Sequence, residues 1–182
     1  MRLVCYGDSN TYGWDPRPFS GNHYDHPWPE LTGEMIGCDV INLGEPGRMV
    51  PWRKEHIDWF CRGIEDAAPD LLTIMLGTND ILNMYDPAGR EVAENMDAFV
   101  SYIIENRLAD RILLLSCPKV EVYDRPYMDG LADLSERYSE IAVRHNTDFA
   151  DPFSWDIPLA FDGIHFSEEG HRIFAENISA YI

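Results

Sequence analysis

Basic residues are scarce in this sequence of 182: 14 Lys and Arg stand against 32 Asp and Glu, a formal net charge of −18. Such a field repels phosphate backbones, so nucleic acid is not an expected partner, and anionic membrane surfaces and strongly anionic substrates are disfavoured. Long apolar runs are missing too. None approaches the roughly 18 residues that a membrane-crossing helix needs, so integral membrane association is not expected. Only four cysteines occur, Cys5, Cys38, Cys61 and Cys117, without a C-x-x-C pair. Cys5 and Cys117 lie in apolar runs and read as buried thiols rather than a disulfide framework. Neither G-x-G-x-x-G nor a P-loop follows the first strand-like run, which speaks against flavin or nucleotide binding. The start "MRLVCYGDS" enters a strand pattern without a separate apolar segment and cleavage site, so the expected location is cytoplasmic. The segment "HYDH" offers His23, Asp25 and His26 but has no matching third block, and no metal is expected.

What is present is a recurring pattern of short apolar runs. "RLVCY" (2–6), "DVINL" (39–43), "LLTIML" (71–76) and "RILLLSC" (111–117) are continuous rather than alternating, with a weaker fifth run at "TDFA" (147–150). Continuous runs of this length mark strands buried on both faces. Between them, 52–67, 91–107 and 127–145 carry apolar residues at helical spacing, and a last helix follows Ser167 as N-cap. Strand–helix alternation predicts right-handed βαβ units in one domain over 1–182, a three-layer α/β/α sandwich. The stretch 14–30 reads as a long loop rich in Pro and aromatic residues, and such loops are often functional.

Four short blocks fall at strand ends or in loops: "GDSN" (7–10), "NLGEPG" (42–47), "GTND" (77–80) and "DGIH" (162–165). Singly, each has a turn or cap reading, since Asp, Ser and Asn favour those positions. In an open parallel sheet, however, the first three converge on the rim where ligands gather, and the fourth can fold over it. A serine hydroxyl needs an adjacent base to act as a nucleophile, and His165 with Asp162 three residues before it supplies one. Acyl transfer also needs donors for an oxyanion, and the backbone N–H groups of Ser9 and Gly47 and the Asn79 amide are available.

These blocks, in this order over essentially the whole chain, resemble those of the SGNH hydrolases, the GDSL esterase/lipase family. The resemblance implies a flavodoxin-like five-stranded parallel sheet of order 2-1-3-4-5 and no cofactor. It implies Ser9 as nucleophile and oxyanion donor, Gly47 and Asn79 as further donors, His165 as base and Asp162 as its partner. Two glycines compete in the second block, and the alignment takes Gly47 rather than Gly44. Where the family name has Leu, this chain has Asn10, a departure expected to carry no chemical consequence. "CYGDSNTYGWDPR" with "IMLGTND" looks most like the arylesterase-type branch, which cleaves short acyl esters and in part transfers acyl groups to alcohols. Some relatives there form oligomers, so a homo-oligomer is among the expectations, with a small-molecule ester as substrate. Carbohydrate O-acetylesterase, lysophospholipase or thioesterase activity, and a catalytically silent binding domain, are the competing readings.

Four further residues are candidates for the pocket wall: Tyr12 and Trp14 after the nucleophile, Arg48 and Trp52 after the oxyanion glycine. Tyr123, Tyr127 and Met128 are candidates for another wall. Asp8 is expected to shape the turn, and His171 to lie on the surface.

Overall fold

The computed structural model describes residues 1–84, 88–121 and 124–182, so Tyr123 lies outside the described residues. Five parallel strands, β1 (Arg2–Gly7), β2 (Asp39–Gly44), β3 (Leu71–Met75), β4 (Arg111–Leu115) and β5 (Asp148–Ala150), run in the order β2-β1-β3-β4-β5. This is the order that the family resemblance implies. Seven helices accompany them among the described residues: α1 (Ser9–Tyr12), α2 (Trp28–Ile36), α3 (Ile57–Ala67), α4 (Thr78–Leu82), α5 (Gly89–Glu105), α6 (Arg125–His145) and α7 (Glu168–Ile178).

Alternate residues of each strand feed two cores, as the two-residue period of a strand requires. Val4, Tyr6, Leu72, Ile74, Ile112 and Leu114 face α3, α5 and α6, where Ile64, Phe99 and Tyr138 are buried. Leu3, Cys5, Leu71, Met75, Leu113 and Leu115 face Trp28 of α2 and Phe174, Ala175 and Ile178 of α7. Burial on both faces explains why the runs of β1, β3 and β4 read as continuously apolar, while the edge strands β2 and β5 are only partly buried. None of the helices among the described residues is long and apolar enough to cross a membrane.

Two elements differ from the sequence expectation. The helix expected from residue 52 begins as a 3-10 turn at Lys54–His56, and α3 proper starts at Ile57. The stretch expected as loop to residue 30 ends in the first turn of α2, whose buried face consists of only Trp28, Pro29, Thr32 and Gly33. That face is too small and too polar to give a helical period. The boundary residues do carry the signal: Pro29 sits in the first turn, and Gly37 closes the helix at φ 68°. Ser167 caps α7 as expected, accepting from Gly170 N–H.

The order 2-1-3 makes the carboxyl ends of β1 and β3 the switch point of the sheet, where opposite-going connections leave a crevice. Glycines let α1 turn directly over that rim. Gly7 pairs with Gly44 across β1 and β2. A Cβ on Gly7 would lie 2.1 Å from Thr11 Oγ1, and one on Gly44 2.1 Å from Tyr12 N. Gly47, in contrast, has φ +78° and nothing within 4 Å of where its Cβ would stand. Gly44→Ala is therefore expected to cost about 3 kcal/mol or more, because the clash is with backbone. Gly47→Ala is expected to cost only about 1–2 kcal/mol, for the left-handed conformation alone. Urea denaturation of the two variants measures the difference.

Candidate active site

Ser9 opens α1 immediately after β1, with Asp8 as N-cap: the Asp8 carboxylate accepts from Asn10 N–H at 2.9 Å. Ser9 is thereby held in the first turn of a helix, where backbone N–H groups lack intrahelical partners. Its Oγ lies 3.0 Å from His165 Nε2, across 156 residues of sequence. His165 Nδ1 lies 2.6 Å from Asp162 Oδ2. With the proton on Nδ1 donated to Asp162, Nε2 is free to accept from the serine hydroxyl. The other oxygen of Asp162 accepts the backbone N–H groups of Ile164 and His165 at 3.1 and 3.0 Å. Burial alone would raise the Asp162 pKa, but these hydrogen bonds, that of the His165 ring first, hold it below the usual carboxylate value. Asp162 thus shapes the turn and keeps its charge beside the imidazole.

The second and third blocks meet at Arg48. Its guanidinium donates to Gly7 O at 2.9 Å, to Leu43 O, and to Glu45 Oε2 at 2.7 Å, and lies 4.2 Å from the centre of the Tyr6 ring. Its own carbonyl accepts from Asn79 Nδ2 at 3.0 Å. One N–H of that amide is therefore fixed and the other is aimed by it. The Gly44 N–H donates to Asn42 Oδ1 at 2.9 Å, whereas the Gly47 N–H donates to no group among the described residues. Of the two glycines in the block, Gly47 is the one with a free donor.

The expected pocket residues fare differently. The Trp14 ring stands 6.2 Å from the His165 ring, at the edge of the hydrogen-bonded series. Tyr12 packs edge-on against His23 at 4.7 Å. Arg48 spends its guanidinium on strand-end carbonyls and Glu45, so its visible work is to join β1 to β2. Trp52 is 57% exposed beneath the Arg53 guanidinium and shares a cavity of about 540 Å³ with Trp59 and Arg48. Among the described residues no group of three or more His, Cys, Asp and Glu is placed to hold a metal ion.

Three residues were misjudged or missed from sequence. Asn10, expected to carry no chemical consequence and given no structural role, is 2% exposed and bonded to the loop that carries His165. No local signal marks it, since its partners lie 154 and 156 positions away. His171, expected on the surface, is fully buried. It accepts the Trp28 N–H on Nδ1 at 3.2 Å and packs against Tyr24 and Phe166, joining α7 to the start of α2. Burial drives its pKa down to about 3. Asp80, the last residue of the third block, is buried and accepts the Val50 N–H at 3.1 Å. Burial raises Asp8 to about 7 and Asp80 to about 6, so two carboxyls packed under the site resist ionisation.

Comparison with known proteins follows the same lines. The profile of the GDSL-like Lipase/Acylhydrolase family matches residues 5–173. The lipase/acylhydrolase from Enterococcus faecalis has a TM-score of 0.81 at 21% identity, covering 100% of this chain and 95% of that one. A carbohydrate acetylesterase from Sinorhizobium meliloti gives 0.78 at 21% identity over 100% of both chains. The aryl esterase of M. smegmatis gives 0.79 at 22% identity, again over 100% of both. At these identities the likeness is one of fold. No curated protein matches by sequence.

The buried titratable groups predict opposite pH effects. Folded His171 stays neutral down to about pH 3, while the unfolded chain takes up a proton near its ordinary value of about 6.5. The wild type should therefore lose stability relative to His171→Gln as pH falls through that window, with a slope of up to about 1.4 kcal/mol per pH unit. Asp8 stays protonated in the fold up to about pH 7 but ionises in the unfolded chain above about pH 4. The wild type should lose stability relative to Asp8→Asn as pH rises between these values, and the difference should level off above them. Urea titrations at a series of pH values check both signs.

Proposed function

The chain belongs to the GDSL-like lipase/acylhydrolase family and is a hydrolase acting on esters, and we propose that it is a serine esterase working through an acyl-enzyme on short-chain, acetyl-like esters. The observation that carries this reading is the series Ser9 Oγ–His165 Nε2 at 3.0 Å and His165 Nδ1–Asp162 Oδ2 at 2.6 Å.

His165 takes the Ser9 proton as the oxygen attacks the ester carbonyl, and the charge of Asp162 stabilises the imidazolium that forms. The tetrahedral oxyanion is received by the N–H groups of Ser9 and Gly47 and by the second N–H of the Asn79 amide. His165 then returns its proton to the leaving alcohol. Water, or an acceptor alcohol, attacks the acyl-enzyme with His165 as base, and Ser9 is regenerated. The free N–H and open approach at Gly47, and the fixed amide of Asn79, support these assignments. Trp14 borders His165 and is assigned to the pocket wall. The four cysteines, all free thiols, support a reducing setting such as the cytoplasm.

A second reading, sugar O-acetates as substrates, is favoured by the likeness to the carbohydrate acetylesterase, which is as close in fold as that to the aryl esterase. Relative rates on acetylated sugars and on p-nitrophenyl acetate separate the two.

Ser9→Ala should lower turnover of p-nitrophenyl acetate by several powers of ten, roughly 10³-fold or more. Asn79→Ala should lower kcat about a hundredfold while the protein stays folded. Wild-type-like turnover by Ser9→Ala would remove the mechanism.

A further inference from the structure

The loop that carries His165 is internally rigid. Asp162 accepts both the ring N–H of His165 and the two backbone N–H groups that follow the turn. Nothing in that bonding sets where the turn sits relative to Ser9, which belongs to the other end of the chain. Of the attachments that span this gap, two come from one side chain. Asn10 Nδ2 donates to Ile164 O at 3.2 Å, and Asn10 Oδ1 accepts from Phe166 N–H at 2.8 Å. These are the backbone groups immediately before and after His165. The amide grips the loop as a neighbouring strand would, donor and acceptor side by side. Asn10 is itself fixed, being 2% exposed with its N–H on the Asp8 carboxylate. It is also the next residue after Ser9, so the nucleophile and the grip share one turn of α1.

We infer that Asn10 is a positioning residue: its amide clamps the backbone on both sides of His165 and so sets the distance between Nε2 and the Ser9 hydroxyl. The inference rests on the Ser9–His165 reading above. It adds that the departure from the family's Leu at this position carries the alignment of base with nucleophile. Leucine can fill the same space but can neither donate to Ile164 O nor accept from Phe166 N–H. Loss of the clamp leaves the Asp162–His165 pair intact, because that pair is bonded within its own turn. The pair then moves as a unit relative to Ser9. Small misplacements of this kind act on turnover rather than on binding.

The test compares wild type, Asn10→Leu, Asn10→Ser, Asp162→Asn and Ser9→Ala on p-nitrophenyl acetate across pH, each well below its unfolding midpoint, together with the rate of labelling by a fluorophosphonate. For Asn10→Leu, kcat and the labelling rate should fall roughly ten- to a hundredfold with KM within about threefold. The acid limb of kcat/KM should keep its position on the pH axis while losing height. In Asp162→Asn that limb should move, because Asp162 acts on the imidazole directly. Asn10→Ser, small and neutral, carries the same expectation should the leucine fail to pack. Wild-type kcat per folded molecule in an Asn10 variant, with only the unfolding midpoint lowered, overturns the positioning role. An acid limb displaced as in Asp162→Asn overturns it as well. If instead Ser9→Ala turns over ester normally, it is the serine-esterase reading that fails, whatever the Asn10 variants do.

Discussion

The carboxyl ends of β1 and β2 lie side by side next to Ser9, and the Arg48 guanidinium donates to a carbonyl of each. It joins Gly7 O at the end of β1 to Leu43 O of β2 and is steadied by Glu45 and by the Tyr6 ring. Its own carbonyl then takes one N–H of Asn79, at the start of α4 after β3. Three strand ends are tied through one residue. The turn bearing Ser9, the loop bearing Gly47 and the amide of Asn79 are held in a fixed relation, and the Glu45 N–H adds a direct bond from that loop to Gly7 O at 3.1 Å. A planar fork with several donors suits this task, and a lysine ammonium, a point charge on a flexible stem, does not.

The same economy limits what the sequence reveals. The central strands β1, β3 and β4 were legible because burial on both faces leaves no alternative to a continuous apolar run, as in Leu71–Met75, whereas the edge strands β2 and β5 are only partly buried. The residues brought together around Ser9 were legible because acyl transfer needs few residue types and the four blocks supply them at strand ends. Other features had no local signature. α2 buries too narrow a face to show a period. His171 looks like any polar residue in a helix, and its partner, the Trp28 N–H, lies 143 positions away. The role of Asn10 required knowing that residues 164 and 166 fold back over residue 10. Residue chemistry was readable, and the distant backbone groups that Asn10 and His171 meet were not.

Electrostatics around the site follow from packing rather than from the large negative charge of the chain. Asp8 and Asp80 carry neutral-leaning carboxyls because they are buried, each with one backbone N–H accounted for. Asp162, only partly buried, receives three donors and keeps its charge. Within one small region, three aspartates are set to different protonation behaviour by the number of donors each receives and the water each retains.

The attachment of His165 to the first turn of the molecule also bears on how the chain matures. Ser9 is synthesised 156 residues before His165. β1, β2 and β3 can pair and Arg48 can seat itself long before "DGIH" exists. α7, whose Phe174, Ala175 and Ile178 close one core against Trp28, comes later still. The Ser9 hydroxyl therefore has no imidazole beside it until the segment carrying His165 has closed over the first turn of α1. The hydrogen-bonded series around Ser9 reports that these two distant segments of the fold have met.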